Sequence, residues 1–511
     1  MKDSNGEKYL IDGFCFNTVF CGEFRWYVYR VRLLRQENAY ALLWLSPRTK
    51  GCIMVYLFFS LILVLLPMTA QAYQTSVADY ASVQDAIDAH PGEVLFVPAG
   101  KYEIDEALRL TEDNSGLVGY GAIIQRNKNA AILEISGARG VRIRDLTLTR
   151  AEDGRDCNAS GIAIRDCRDT LIANIRLIDN RSQRPAIEVR TSVDCRITGV
   201  EIRNYKRIAI DDRTAAGESL HGYAFNCIDG TGIMVRHSQN ISLLNNRIVE
   251  EHLLPTKEIQ ERHRLGSLTD GRYPTNLGVL GKMAVVNEAV SNWHQGSAIV
   301  VTSPETTRDV IIHGNYIENS AQGIDLHCDY VRCADNTVIR GMMGIKMTHG
   351  TKHVVVANNL LTQIDLWGIL YNPGEASHDG LPATDDAPAR SENVDGGSVI
   401  ANNIIADYGY GHEYWNWGGA SDDQAGAYAI AFFEGQLPEN PPVSHVLVTG
   451  NLVYHAHDLT GDKPPRYRYA LYLGPWDSNK QDSPNLPQNI KIHGNMSHPG
   501  TRGISNVDIP E

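Results

Sequence analysis

The chain is predicted to be an all-β solenoid of short parallel strands, and three observations predict it. One pattern is written four times between Ala298 and Pro373, as AIVVTS from Ala298, GIDLHC from Gly323, GIKMTH from Gly344 and GILYNP from Gly368, with starts 25, 21 and 24 residues apart. Each copy opens on a small residue and alternates inward and outward positions like a strand. A second set of apolar runs (IIHGNYI, RCADNTV, VVANNLL, VIANNII, VLVTGNL and IKIHGNM) sets Asn315, Asn336, Asn359, Asn403, Asn451 and Asn495 at one equivalent position, and Asn246 joins them from LLNNRI. Asn suits the sharp turn between two strands, because it tolerates the left-handed conformation and its amide can bond its copies in neighbouring turns. Composition agrees: 43% hydrophobic and 8% aromatic residues with 45 Gly describe many short strands and turns rather than a disordered chain. A solenoid grows by repetition, so 511 residues are read as one long domain, residues 73–511, behind a lead-in of residues 1–72.

In the lead-in, Ile53–Ala70 is an uncharged and mostly apolar run, preceded by Arg48 and Lys50 and followed by the small-x-small pattern Ala70-Gln71-Ala72. It reads as a secretory signal peptide cleaved after Ala72, with an uncleaved membrane anchor as the alternative. Translation from Met54 would leave a compact apolar leader, so the residues before it form an unusually long start. The expected product is a soluble monomer, secreted, periplasmic or at the cell surface. Export removes 8 basic and 5 acidic residues and takes the formal charge from −13 to −16. Such an acidic surface argues against nucleic acid as a partner and requires a local basic strip wherever a polyanion binds. Six cysteines follow residue 72 (Cys157, Cys167, Cys195, Cys227, Cys328 and Cys333) with no zinc spacing; disulfides and buried free thiols are both open.

The solenoid begins at Tyr80 with YASVQDAIDAHPGEVLFVPAGKYEI, in which Ser82 caps a short helix stopped by Pro91-Gly92 before the strand VLFVPAGKYEI. A solenoid needs such a lid, because its first turn otherwise exposes core and unpaired strand edges. VQDAIDAHPGEVLFVPAGKY resembles the capping start of the parallel β-helix proteins of the pectate-lyase-like superfamily, and the likeness extends over nearly all of residues 80–505. What it implies is a right-handed single-stranded parallel β-helix; it is nearly silent about the reaction.

The turns continue as LVGYGAIIQR, AILEISGARGVRIRDLTLTR, GIAIRDCRDTLIANIRLIDN, AIEVRTSVDCRITGVEIRN, RIAIDDR and GIMVRHSQNISLLNNRIVE, placing Ile162, Ile164, Ile187, Val189, Ile233 and Val235 in the core. Insertions interrupt the coil at about 251–296, with a helix expected over Thr256–Arg264, at 374–397, and at 408–426, where Tyr408, Tyr410, Tyr414, Trp415 and Trp417 crowd together. Insertions in a solenoid wall its binding face, and such aromatics suit either stacking on sugar rings or packing on the coil's own flank.

Aligning the turns at their small first residue stacks the outward positions in two rows. The first reads Ala163, Glu188, Ala209, Met234, Val300, Asp325, Lys346 and Leu370; the second reads Arg165, Arg190, Asp211, Arg236, Thr302, His327, Thr348 and Asn372. With strands about 4.8 Å apart, Asp325 should touch Lys346 and His327 should sit between Thr302 and Thr348. Alone, Asp325 and Lys346 would be an exposed ion pair of little weight. Their company, His327, His349, Arg236 and Asn372, makes this face the candidate site.

Enzymes of the fold that the resemblance implies commonly act on acidic polysaccharides by β-elimination, in which a base removes the proton next to a uronate carboxylate whose charge is neutralised. Here Asp325 would keep Lys346 protonated, His327 would be the base and Lys346 would neutralise the carboxylate. Arg236, Thr348, His349, Asn372, Tyr410, Trp415 and Trp417 would bind substrate. Calcium often does the neutralising in the family and stays open here as a cofactor; Asp211, Asp212 and Asp325, the acidic candidates on the strand face, are dispersed, and no metal site is assigned. A hydrolase would use paired carboxylates, which Asp211-Asp212 echoes only in part. The ranking is therefore a polysaccharide lyase, then a uronate epimerase or glycoside hydrolase, then a non-catalytic carbohydrate-binding or surface solenoid.

Overall fold

The computed structural model describes residues 75–152, 156–208, 228–251, 296–385, 387–407, 427–455, 465, 467–475, 483 and 485–509, together with three strands nearer the amino terminus. Those strands, Asn17–Cys21, Phe24–Arg32 and Tyr40–Trp44, form an antiparallel sheet within one compact unit, Met1–Ala72, and Tyr73–Glu511 is the other. The apolar run Ile53–Ala70, the aromatic group Tyr408–Trp417, the segment Thr256–Arg264, Asp211, Asp212 and Cys227 lie outside the described residues.

The described residues of the second unit form a right-handed parallel β-helix. Each turn gives one strand to each of three faces. The first face is a 12-stranded parallel sheet running from Val94–Val97 to Gln488–His493. The second and third merge into one 22-stranded sheet, because in two turns a single strand, Thr337–Met347 or Leu360–Tyr371, runs round the corner between them. A helix, Val83–Ala89, closes the amino-terminal end; the Ser82 hydroxyl accepts from the Asp85 N–H, while Val83, Ala86 and Ile87 face the core. Ile162, Ile164, Ile187, Val189, Ile233 and Val235 are wholly buried, as the alternation requires.

The small residue that opens each third-face strand has a steric cause. A Cβ at Gly323 would come within 2.5 Å of the Gly344 carbonyl oxygen, and one at Gly344 within 2.4 Å of the Gly368 oxygen. Larger side chains would push the turns apart.

The asparagine row is a continuous ladder. Asn246, Asn315, Asn336, Asn359, Asn403 and Asn451 each donate both the backbone N–H and Nδ2 to the Oδ1 of the next asparagine, ending on Asn495, at 2.9–3.0 Å. The expected backbone of these asparagines is corrected: the left-handed residue is the one before each, such as Asn245, Gly314, Asp335, Asn358 or Gly450. The amide is kept for the ladder, and the neighbour takes the bend. A second correction concerns RIAIDDR, which is not a turn of the third face. Arg207–Ile208 pairs antiparallel with Ile228–Asp229, and the coil passes directly from Ile187–Arg190 to Ile233–Arg236. Ala209 and Asp211 lie outside the described residues, and the third-face rows run without them from Glu188 to Met234 and from Arg190 to Arg236. The five described cysteines are buried free thiols.

Candidate active site on the third face

Register places the site. On the third face Glu188 pairs with Met234, Met234 with Val300, Val300 with Asp325, Asp325 with Lys346 and Lys346 with Leu370. Two residues along each strand runs the second row, Arg165, Arg190, Arg236 and Thr302, with His327 beyond it. Period-two alternation turns both rows outward.

Asp325 is the centre of the cluster. Its Oδ1 lies 2.9 Å from His327 Nε2 and 3.6 Å from Lys346 Nζ, and the residue is only 6% exposed. Burial alone would raise its carboxyl; the His327 imidazole, the Lys346 ammonium and His349 outweigh it and hold the group well below the usual carboxylate range. The shorter contact is to His327, so Asp325 orients the imidazole more directly than the ammonium, the reverse of the emphasis drawn from the row alignment. On the other edge of that ring, Nδ1 lies 3.1 Å from Thr302 Oγ1, the cross-strand contact that the alignment anticipated. A carboxylate accepts at Nε2–H, so in the neutral ring the lone pair falls on Nδ1, where the rotatable Thr302 hydroxyl meets it.

His349 completes the group. Its ring meets that of His327 edge-on, with centroids 4.6 Å apart. Burial first, then the nearby His327 and Lys346, depress its pKa to about 3 against the opposing pull of Asp325. The ring is neutral at pH 7.

Three expected partners stand differently from the alignment. Thr348 and Asn372 are fully buried, covered where the Gly374–Gly397 insertion leaves the coil: a Cβ on Gly374 would lie 2.6 Å from Thr348 Oγ1. Thr348 Oγ1 and Asn372 Oδ1 have no hydrogen-bond partner among the described residues, and Asn372 Nδ2 donates to the Pro373 carbonyl. They are therefore corrected from substrate contacts to groups beneath the insertion. Arg236 is on the outer face but already donates to Glu188, which is 3% exposed and also lies 3.7 Å from Arg165. Arg165, Arg190 and Arg236 thus make a basic strip, partly neutralised by one acid, in line with the cluster. Tyr410, Trp415 and Trp417 lie outside the described residues.

Row alignment missed the base of the insertion. Ser377, Asn393 and Asp395 are buried beside His349 and bond to its turn. Nothing in a strand repeat marks them, since they belong to a segment that reads only as rich in Asp, Pro and Gly. Among the described residues no group of three or more His, Cys, Asp or Glu could hold a metal ion.

No protein-family model matches the chain, and no curated protein matches it in sequence. Solved structures do. The catalytic domain of Agl-KA is similar with a TM-score of 0.50 at 11% identity, over 83% of this chain and 65% of that one. An exopolygalacturonase from Thermotoga maritima gives 0.47 at 10%, over 83% and 91%. The A-module of the Azotobacter vinelandii mannuronan C-5 epimerase AlgE6 gives 0.44 at 13%, over 83% and 99%. At these identities the likeness is one of fold.

Proposed function

We propose that the protein is a secreted carbohydrate-active enzyme that cleaves a uronate-containing polysaccharide by β-elimination at the third-face cluster. The observation that carries the reading is the buried, anionic Asp325 shared between an imidazole and an ammonium beside a strip of arginines. Elimination needs a neutral base, a fixed positive charge for the uronate carboxylate and no second acid. Lys346 Nζ pairs with the carboxylate. His327 Nδ1, once the Thr302 hydroxyl turns aside, takes the proton from the carbon next to it. The C–H electron pair moves toward the carboxylate and then forms the carbon–carbon double bond as the glycosidic oxygen leaves. The proton returns to that oxygen from the same imidazole, so His327 ends as it began and no water is consumed. Asp325 accepts from Nε2–H throughout and stabilises the transient imidazolium.

Hydrolysis is less well served. The nearest acid in the same outward row, Glu188, is three strands from Asp325, about 14 Å, beyond the 5–9.5 Å span of paired glycosidase carboxylates. Epimerisation needs a proton donor on the opposite face of the sugar, whereas His327 and His349 lie on one side of the sheet. The test is incubation with a panel of uronate polymers and neutral glycans, read by absorbance and mass spectrometry for unsaturated uronate ends. Chain cleavage with water added would overturn elimination in favour of hydrolysis. Deuterium uptake from heavy water without cleavage would do so in favour of epimerisation, and binding without turnover would leave a carbohydrate-binding solenoid. Export is tested by amino-terminal sequencing of secreted protein, with Tyr73 expected first.

A further inference from the structure

The insertion Gly374–Gly397 is built onto the turn that carries His349, and it spends its buried polar groups there. Asp395 accepts from the Gly350 and Thr351 N–H groups at 3.0 and 2.9 Å. Ser377 Oγ donates to Asp395 at 2.5 Å and accepts from the Gly374 N–H at 3.0 Å. Asn393 Nδ2 donates to the carbonyls of His349, at 2.9 Å, and Ala376, at 2.6 Å. All three side chains are almost fully buried. They hold His349 at φ 62°, a left-handed backbone that a residue with a Cβ adopts only when its surroundings impose it.

The same clamp sets the ring. It brings the Ala376 N–H to His349 Nδ1 at 3.4 Å, a long bond but an unambiguous one, since two donors cannot face each other. Nδ1 therefore carries the lone pair and the ring proton sits on Nε2. Nε2 has no partner among the described residues, while the ring edge meets His327. The titratable groups around the ring are His327, Lys346 and Asp325.

We infer that the Gly374–Gly397 insertion is a clamp that fixes His349 as the Nε2–H tautomer, and that this N–H donates a hydrogen bond to the uronate carboxylate oxygen on which charge builds as the proton leaves. His349 is then a catalytic donor, and Ser377, Asn393 and Asp395 are positioning residues. The inference rests on the elimination reading above. A neutral imidazole suits the task because it stabilises developing charge without competing with His327 for the proton.

The experiment is imidazole nitrogen NMR on the full chain from pH 8 to pH 5, with the His349 signals identified by their loss in His349→Gln. The expected spectrum has Nδ1 unprotonated and Nε2 protonated across the range. An Nδ1–H tautomer, or protonation with a midpoint above pH 6, overturns the clamp. Ser377→Ala and Asn393→Ala should each mix the tautomers, and on a uronate polymer should lower kcat about 10²-fold with KM within about threefold, as loss of one oxyanion donor does. His349→Gln, which keeps an N–H donor, should retain more activity than His349→Ala. Unmoved tautomer and kcat in both loop variants would reduce the insertion to a cap. A wild-type protein inert on every uronate polymer overturns the donor role together with the reading beneath it, while the tautomer measurement still decides the clamp.

Discussion

Replacing Asp325 with Asn tests the site through charge alone. The amide keeps the shape and an oxygen for His327 Nε2–H at 2.9 Å, but it leaves Lys346, whose Nζ is 3.6 Å away and whose side chain is 16% exposed, without its counter-ion. Removing one partner of a fully buried pair costs roughly 3–5 kcal/mol; Lys346 keeps some access to water, so about 2 kcal/mol is expected at pH 7. The pH dependence follows from the depressed carboxyl. Its folded pKa lies below the unfolded value of about 3.9, so its contribution is fully present above pH ~4 and is lost as pH falls through the folded value. Urea denaturation of the two proteins should therefore show a gap near 2 kcal/mol at pH 7 that narrows steadily below pH ~4. Turnover of the uronate polymer should fall by about 10²–10³-fold, because the imidazolium formed during proton transfer loses its anion. A variant as stable as the wild type at pH 7, or a gap that persists undiminished in acid, would refute the account of Asp325.

Lys346→Ala should raise KM for a uronate polymer at least about tenfold while lowering kcat less, and His327→Ala should cut kcat by roughly 10²–10⁴-fold with the fold intact; steady-state kinetics separates the two. In the ladder, Asn336→Ala leaves the buried Asn315 N–H without its acceptor and removes the Asn336 Nδ2 bonds to the Ile312 carbonyl and to Asn359. With about 1–3 kcal/mol for the orphaned N–H and about 1 for the lost amide bonds, that variant should lose roughly 2–4 kcal/mol, whereas Asn495→Ala at the partly exposed end should lose about 1, and equal losses in denaturation would tell against the ladder. His349, neutral in the fold down to about pH 3, titrates near 6.5 when unfolded. Its contribution is present above pH ~6.5 and is lost as pH falls toward 3, so acid should destabilise the wild type more than His349→Gln, by about 2 kcal/mol once pH has fallen to about 5.

What the sequence revealed depends on repetition. The coil, its cap, its core positions and the Asp325–Lys346 contact were legible because each is a consequence of period two within a strand and a period near 23 between strands. Whether a row member faces substrate was not. Thr348 and Asn372 occupy outward positions by count, and they are buried because Gly374 begins a segment that folds back across them. Alignment by pattern also admitted RIAIDDR as a turn, since five residues of alternation look alike whether their partner is the next coil or an antiparallel neighbour. The left-handed corner fell to the residue before each ladder asparagine, because a side chain committed to the ladder on one face needs its own backbone left regular.

The ladder bears on the site through register. Upstream the ladder position holds Leu146, Ile175 and Val200, and successive turns there are close in sequence. The first asparagine, Asn246, accepts from the Val200 N–H 46 residues earlier, and the later rungs span 69, 21, 23, 44, 48 and 44 residues, so that long excursions of the chain lie on both sides of two short rungs. A longer closing loop adds little entropy cost, about 0.6 kcal/mol per doubling, but it removes the local restraint on which residue pairs with which. In a flat parallel sheet, a slip of one residue turns every side chain to the opposite face. Such a slip at Gln322–Leu326 would bury Asp325 and expose Ile324. An apolar ladder position tolerates displacement along the strand, whereas an amide that must give two N–H groups to one oxygen above and accept two from below does not. The asparagines therefore hold register across the long excursions on either side, and between them, over the two rungs of 21 and 23 residues, Asp325, His327, Lys346 and His349 meet.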